Sequence, residues 1–440
     1  MSLSNLPREI LLDITDHLCD AGINALAYTN SQLYRLLNRY LYRRDVIKHR
    51  SKSLTWAAKN GVEGTVQRAI NAGQNFTPIP RSFNIALQIA ADRGHVHLVK
   101  MLLQVDGINV NFRRGSLKAA PLGLAAKRGH DAIVELLLAA DNVDPNVGDR
   151  ESTMPLHWAC AMGHVSVVRQ LLARDSIDVN AHGTIDGYRE TPLMMATRKR
   201  SVEVLKALLA RDDLDLNIGN DFGEHVLGLA VSQGHVDTMK LLLNHPDIDP
   251  NFVEGDSCIA LMVSMWTLAG LEAVKLLLDQ EGIDVNIRNN WGLTALCEAS
   301  VISCCKDIET TKLLLERKDI DINLPDNYGW TPLFWACHHR CVALVDLLLE
   351  KDNIDPNPRD ANTGRTPLAY VCHCRYGGFD ERVASIVQSL LSHPATDPNA
   401  VDNNGVSILA GFINKYHNAV GSDSFVRQKI ESLLRARILQ

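Results

Sequence analysis

The sequence predicts an all-α repeat solenoid: stacked helix–turn–helix units with hairpin-like fingers, preceded by a small three-helix head. Three observations carry this reading. An asparagine closes a phrase such as Ile-Asp-Val-Asn at Asn111, Asn146, Asn180, Asn217, Asn251, Asn286, Asn323, Asn357 and Asn399, in steps of 35, 34, 37, 34, 35, 37, 34 and 42 residues. A period in this range marks one supersecondary unit repeated along the chain. A leucine keeps the same register eleven times, at Leu54, Leu87, Leu122, Leu156, Leu193, Leu227, Leu261, Leu296, Leu333, Leu368 and Leu409. Hydrophobic residues make up 46% of the 440 positions but aromatics only 5%, so small and aliphatic side chains must fill a thin interior. Such a stack is one continuous core that offers a long surface and no enclosed chamber.

Each unit opens on a first helix. In Thr331-Pro332-Leu333-Phe334-Trp335-Ala336-Cys337, Thr is a good N-cap because its hydroxyl accepts from an orphan backbone N–H. Pro suits the first helical position, where no N–H is missed. Thr191-Pro192-Leu193 and Thr366-Pro367-Leu368 repeat this start. Small residues follow three and four places after the leucine, as in Ala57-Ala58, Ala90-Ala91, Ala125-Ala126 and Ala159-Cys160. That spacing puts them on the leucine's face, where they let neighbouring helices approach. A glycine then ends the helix, often as Gly-His at Gly94-His95, Gly129-His130, Gly163-His164 and Gly234-His235, because Gly accepts positive φ. A second helix follows with Val134, Leu137 and Leu138 as its apolar stripe. Asp-rich text leads to the asparagine, and then to an exposed tip such as Asp326-Asn327-Tyr328-Gly329, whose residue types make tight turns.

These phrases resemble ankyrin repeats, whose signature includes Thr-Pro-Leu-His and a closing Asn. The resemblance covers about residues 51–440, with a usual unit of 34 residues where 33 is familiar. It implies a protein-binding surface lined by finger tips and first helices. Met154 stands where the capping Thr is usual, so His157 is expected to lose its usual partner. The units at Leu261 and Leu409 match weakly and are expected to be less regular. From the leucine to the valine-like position of the second helix is 12 residues in most units, but 15 from Leu296 to Thr311, 19 from Leu368 to Val387 and 21 from Leu409 to Ile430. A longer finger surrounds Gly183, Asp186, Gly187 and Tyr188. Insertions of this kind either carry specificity or are drift of a surface loop.

Residues 1–47 do not fit the repeat. Leu6, Ile10, Ile14 and Leu18 fall four apart on one stripe, Pro7 sits early in the helix, and Glu9 and Asp13 favour its positive end. Further helical stretches hold Leu26, Leu33, Leu36 and Leu37, then Tyr40-Leu41-Tyr42. The opening Leu6-Pro7-Arg8-Glu9-Ile10 resembles an F-box, a three-helix module that docks on the Skp adaptor of cullin–RING ubiquitin ligases. Carried over by match, Leu6, Pro7, Ile10, Ile14 and Leu18 would form or support the adaptor-facing surface. The same helices can also serve as the end cap that a solenoid needs to hide its first apolar face.

Several chemistries find no support. Net charge is −6, and the mild basic excess of the first 52 residues, 8 Lys/Arg against 5 Asp/Glu, is no concentrated nucleic-acid footprint. No charged start with an apolar run marks a secretory signal, and the weakly polar stretch from Cys258 to Gly270 is too short to span a bilayer. A cytoplasmic or nuclear protein with reduced cysteines is expected. Cys337-His338-His339-Arg340-Cys341 and Cys372-His373-Cys374 look like zinc ligands. Yet Cys160, Cys337 and Cys372 share one phrase position, a buried packing slot, so no metal is expected. No phosphate-cradling loop or nucleophile elbow occurs, and histidines and carboxylates that recur with the period are poor candidates for a unique active site. No cofactor and no enzymatic activity are expected.

The expected role is that of a substrate-recruiting subunit of a Skp/cullin/F-box-type ubiquitin ligase, or of a stand-alone interaction scaffold whose head only caps the stack. Tyr188, Phe222, Trp291 and Tyr328 lie at or near finger tips, and the last three each precede a Gly. Exposed aromatics are favoured interface anchors, so these four are the candidate target-binding residues. The alternative is that their rings pack against the adjacent finger.

Overall fold

The computed structural model describes residues 10, 52–73, 81–115, 118–253, 259–267, 270–302, 308–373, 380–416 and 424–439. Of the head, only Ile10 falls among them; it is helical and 48% exposed. Leu6, Pro7, Ile14 and Leu18 lie outside the described residues, as do the inter-helix insertions at 303–307, 374–379 and 417–423.

Two compact units divide the chain after Asp221. In the first, five helix pairs follow one another: α1 (Lys52–Asn60) with α2 (Glu63–Gly73), α3 (Arg81–Arg93) with α4 (Val96–Leu103), α5 (Pro121–Arg128) with α6 (Asp131–Leu138), α7 (Pro155–Met162) with α8 (Val165–Leu172), and α9 (Pro192–Lys199) with α10 (Val202–Leu209). First helices pack on first helices, α1 on α3 on α5 on α7 on α9, and second helices stack in the same order. Ala57, Ala58, Ala90, Ala91, Ala125, Ala126, Ala159 and Cys160 are all fully buried at these contacts. Their short side chains let the backbones approach, and Leu87, Leu122 and Leu156 fill the space behind. One true hairpin interrupts the helices: β1 (Gly183–Ile185) pairs antiparallel with β2 (Tyr188–Glu190), Ile185 opposite Tyr188. Asp186 and Gly187 turn it with φ of 53° and 85°, the positive pair that a two-residue hairpin requires.

The second unit holds six pairs: α11 (Val226–Ser232) with α12 (Val236–Leu243), α13 (Ala260–Ser264) with α14 (Gly270–Leu278), α15 (Ala295–Ile302) with α16 (Glu309–Leu315), α17 (Pro332–His338) with α18 (Val342–Leu349), α19 (Pro367–His373) with α20 (Glu381–Ser392), and α21 (Ile408–Tyr416) with α22 (Ser424–Ile438). Helix α13, in the weakly matching Leu261 unit, has only 5 residues, whereas the last pair runs to 9 and 15.

The recurring asparagine joins each unit to the next. Asn286 Nδ2 donates to Asp319 O at 2.7 Å, and its Oδ1 accepts from Asp321 N at 2.8 Å. Asn111, Asn146, Asn180, Asn251, Asn323 and Asn357 make the same two bonds one unit on. The Asp two residues earlier accepts the backbone N–H of its asparagine, as Asp284 does from Asn286 at 2.9 Å. The Asp-x-Asn carboxylates are thereby committed to turn geometry.

Histidines of the Gly-His turns reach back. His130 and His164 place Nε2 3.2 Å from Asp92 O and Lys127 O of the preceding unit. Gly129, at φ 72°, lies under the His164 ring so closely that an added Cβ would stand 2.6 Å from Nδ1. The capping hydroxyl is absent beside His157, as expected, and other groups take its place. His157 keeps partners without a capping Thr: Nδ1 accepts from Met154 N at 3.2 Å and Nε2 lies 2.8 Å from Ala181 O. Backbone N–H and C=O groups replace the missing hydroxyl, and the ring is fully buried.

Candidate protein-binding face

The fingers of the second unit are built on a buried acceptor. Asp326 Oδ1 accepts from Tyr328 N and Trp330 N, both at 2.8 Å, and Asp326 N closes the loop on Trp330 O at 2.9 Å. Asn289, Asp360 and Asp402 hold their own tips in the same manner. Burial pushes the Asp402 carboxyl up, but N–H donors from Val406 and Asn404 and the Arg365 charge bring it net below its ordinary value. Neighbouring tips are joined through backbone: Asn327 N donates to Trp291 O, Ala361 N to Tyr328 O, and Asn403 N to Thr363 O. Carbonyls therefore carry the finger-to-finger contact, and the rings of Trp291 and Tyr328 each stay 56% exposed. Phe222, at the same phrase position, is 61% exposed. Tyr188, in the first unit, is 44% exposed with the Arg198 guanidinium 4.4 Å over its ring.

Beside the tips lies an aromatic cluster that the sequence reading did not select. Trp330 stacks on Phe334 and meets Trp335 edge-on, both at 4.7 Å between centroids. Tyr370, one unit on, is 5.3 Å from Trp330 and 5.0 Å from Phe334. Phe334 is buried, and Trp330, Trp335 and Tyr370 are half-buried. Pairs of this geometry add about 0.5–1.5 kcal/mol each beyond area burial, which makes the cluster a rigid platform. His338 Nδ1 and the Tyr370 hydroxyl lie 2.6 Å apart in a hydrogen bond. Burial holds the His338 imidazole below its usual range, with the nearby His339 and Arg340 charges adding to the effect; burial alone lowers His339. Both rings are therefore neutral near pH 7.

Trp335 is anchored from behind. Its Nε1 donates to Asp326 Oδ2 at 3.1 Å. The first unit repeats the device, with Trp158 Nε1 donating to Asp149 Oδ2 at 3.2 Å while Asp149 Oδ1 accepts from Glu151 N and Thr153 N. A signal for these rings was present in the sequence: the position two after the repeating leucine carries Trp56, Trp158 and Trp335, three of the six tryptophans, and Tyr370.

The cysteines at the shared phrase position are packing residues. Cys160, Cys337 and Cys372 are buried, and burial pushes their thiols up, Cys372 to about 12. Thiols so raised stay protonated and unreactive. Among the described residues no group of three or more His, Cys, Asp or Glu could hold a metal ion; Cys374 is not among those residues. No helix of the described residues is long and apolar enough to cross a membrane.

Comparison with known proteins matches the family model for ankyrin repeats in three copies, in seven overlapping registers: 54–149, 87–183, 122–219, 177–254, 212–289, 261–360 and 301–402. The chain belongs to the ankyrin repeat family. The ankyrin repeat domain of Bcl-3, described as a unique member of the IkappaB protein family, is 23% identical with a TM-score of 0.45, over 52% of this chain and 97% of that one. EF0377, an ankyrin repeat protein, is 25% identical with a TM-score of 0.40, over 44% of this chain and 97% of that one. No curated protein matches. The ankyrin family is one of protein–protein interaction scaffolds, and no catalytic family is indicated.

Proposed function

We propose that this ankyrin chain recruits a protein target to a Skp/cullin/F-box-type ubiquitin ligase. The half-exposed aromatic platform of Trp330, Trp335 and Tyr370, flanked by the tip rings of Trp291 and Tyr328, supports target binding in the second unit. Rigid aromatic rings with polar surroundings are the usual anchors of protein interfaces. Docking on the adaptor rests on the F-box-like text Leu6-Pro7-Arg8-Glu9-Ile10, with Pro7, Ile14 and Leu18 on the same segment. On this reading the chain contributes proximity and orientation, and other subunits of the ligase make the bond.

Pull-down of the full chain with the Skp adaptor tests the docking half. Capture that is abolished by Leu6→Asp with Ile10→Asp is the expected result. Capture that survives the double substitution, or no capture, leaves residues 1–47 as an end cap on a free-standing scaffold.

A further inference from the structure

One contact recurs across the junctions between successive repeats. The residue five after the repeating leucine meets the residue two after the next leucine. Lys127 stands 3.5 Å over the Trp158 ring, Trp266 Nε1 donates to Glu298 Oε1 at 3.0 Å, His338 bonds Tyr370, and an added Cβ on Gly411 would collide with the His373 ring. At Trp158 this register completes a three-part stack. The buried Asp149 carboxylate accepts the indole N–H, which enriches the electron density of the ring, and an ammonium sits on the ring face. Such a contact is attractive because the ring face carries partial negative charge.

The second unit repeats two of the three parts. Asp326 accepts the Trp335 indole N–H as Asp149 does for Trp158. The register position of Lys127, however, is taken by Val301, five after Leu296. The charge of the two units differs accordingly. Residues 222–440 carry 28 Asp/Glu and 18 Lys/Arg, a net charge of −10, leaving 23 and 27, a net of +4, in residues 1–221. Trp335 is thus a carboxylate-backed indole in an acidic unit, with Val301 at the register position from which its counterpart receives a cation and the His339 ring stacked 5.8 Å away.

We propose that the Trp335 platform binds a basic segment of a protein partner, with a lysine or arginine side chain of that partner laid against the indole where Lys127 lies against Trp158. This rests on the protein-binding reading above and names the partner's chemistry. The acidic unit draws the segment in, and the salt-dependent part of binding belongs to that attraction.

The test titrates the full chain with three peptides of equal length whose central positions are lysine, glutamine or glutamate, read by tryptophan fluorescence and calorimetry. The lysine peptide is expected to bind at least tenfold tighter than the glutamine one and to weaken with added salt. Val301→Lys places a cation on the ring from within and is expected to lower that affinity about tenfold. Trp335→Phe keeps an aromatic face and is expected to lose less than Trp335→Ala, with unfolding curves showing that each variant is folded. Absence of lysine-peptide binding, or indifference of that binding to Val301→Lys, overturns the proposal. A glutamine or glutamate peptide held as tightly, and through Trp335, also overturns it but leaves protein binding by this face intact.

Discussion

At the residue scale, His157 is the group whose environment has the clearest cost. Burial drives its pKa from the ordinary 6.5 to about 4, against the opposing pull of the Ala181 carbonyl. The folded chain thus keeps it neutral while the unfolded chain takes up a proton below pH 6.5. Stability from this group is complete above that pH and falls as pH drops toward 4, by about 3 kcal/mol in all. Urea unfolding followed from pH 7 to 4 should lose most of this slope in His157→Gln. Gly129 makes a second test. A side chain there must adopt a φ of 72° and displace the His164 ring, so Gly129→Ala should cost about 1–3 kcal/mol in the same assay. A neutral result would mean that the turn can shift without cost.

At the element scale, the units are sewn together by side chain to backbone bonds that lie outside any helix. Asn286→Ala removes the bonds to Asp319 O and from Asp321 N. At about 0.5–1.5 kcal/mol each, and with both groups reachable by water, the expected loss is about 1–2 kcal/mol, measurable by thermal unfolding. The fingers follow a different rule. Their tips are held by a buried Asp or Asn, by carbonyls of the neighbouring finger and by Asn327 and Asn403, whose Nδ2 atoms donate to such carbonyls, so the tip rings are dispensable for the fold. Trp291→Ala with Tyr328→Ala should leave the melting curve within about 0.5 kcal/mol of the parent. The same pair should weaken retention of a bound target; retention that is unaltered removes these rings from the binding face.

At the scale of the whole molecule, the architecture was legible because its signal is redundant. Leucine, small pair, glycine and asparagine all keep one beat, and each is explained by a contact: a buried helix face, a positive φ, a clasp on the next linker. The finger rings at Trp291 and Tyr328 could be placed because a turn glycine follows each. Trp335 and Tyr370 escaped notice because a residue inside a helix reads as filler until its neighbours are known, and Trp330 belongs to the platform through its contacts with Phe334, Trp335 and Tyr370. The partners of His157 were illegible for another reason: backbone atoms from Met154 and Ala181 stand in for a side chain, and backbone leaves no trace in composition. The packing role of Cys337 and Cys372 was legible from their shared phrase position with Cys160, although histidines adjoin them in sequence.

The asparagine clasps also have a direction, since each side chain grips the unit that follows it. During synthesis on the ribosome a unit's own clasp cannot close when the unit emerges; it must wait until some thirty-odd further residues have left the exit tunnel. Order therefore advances from the amino end one step behind elongation, and a nascent chain arrested after any asparagine should show its last-made unit as the one most open to protease.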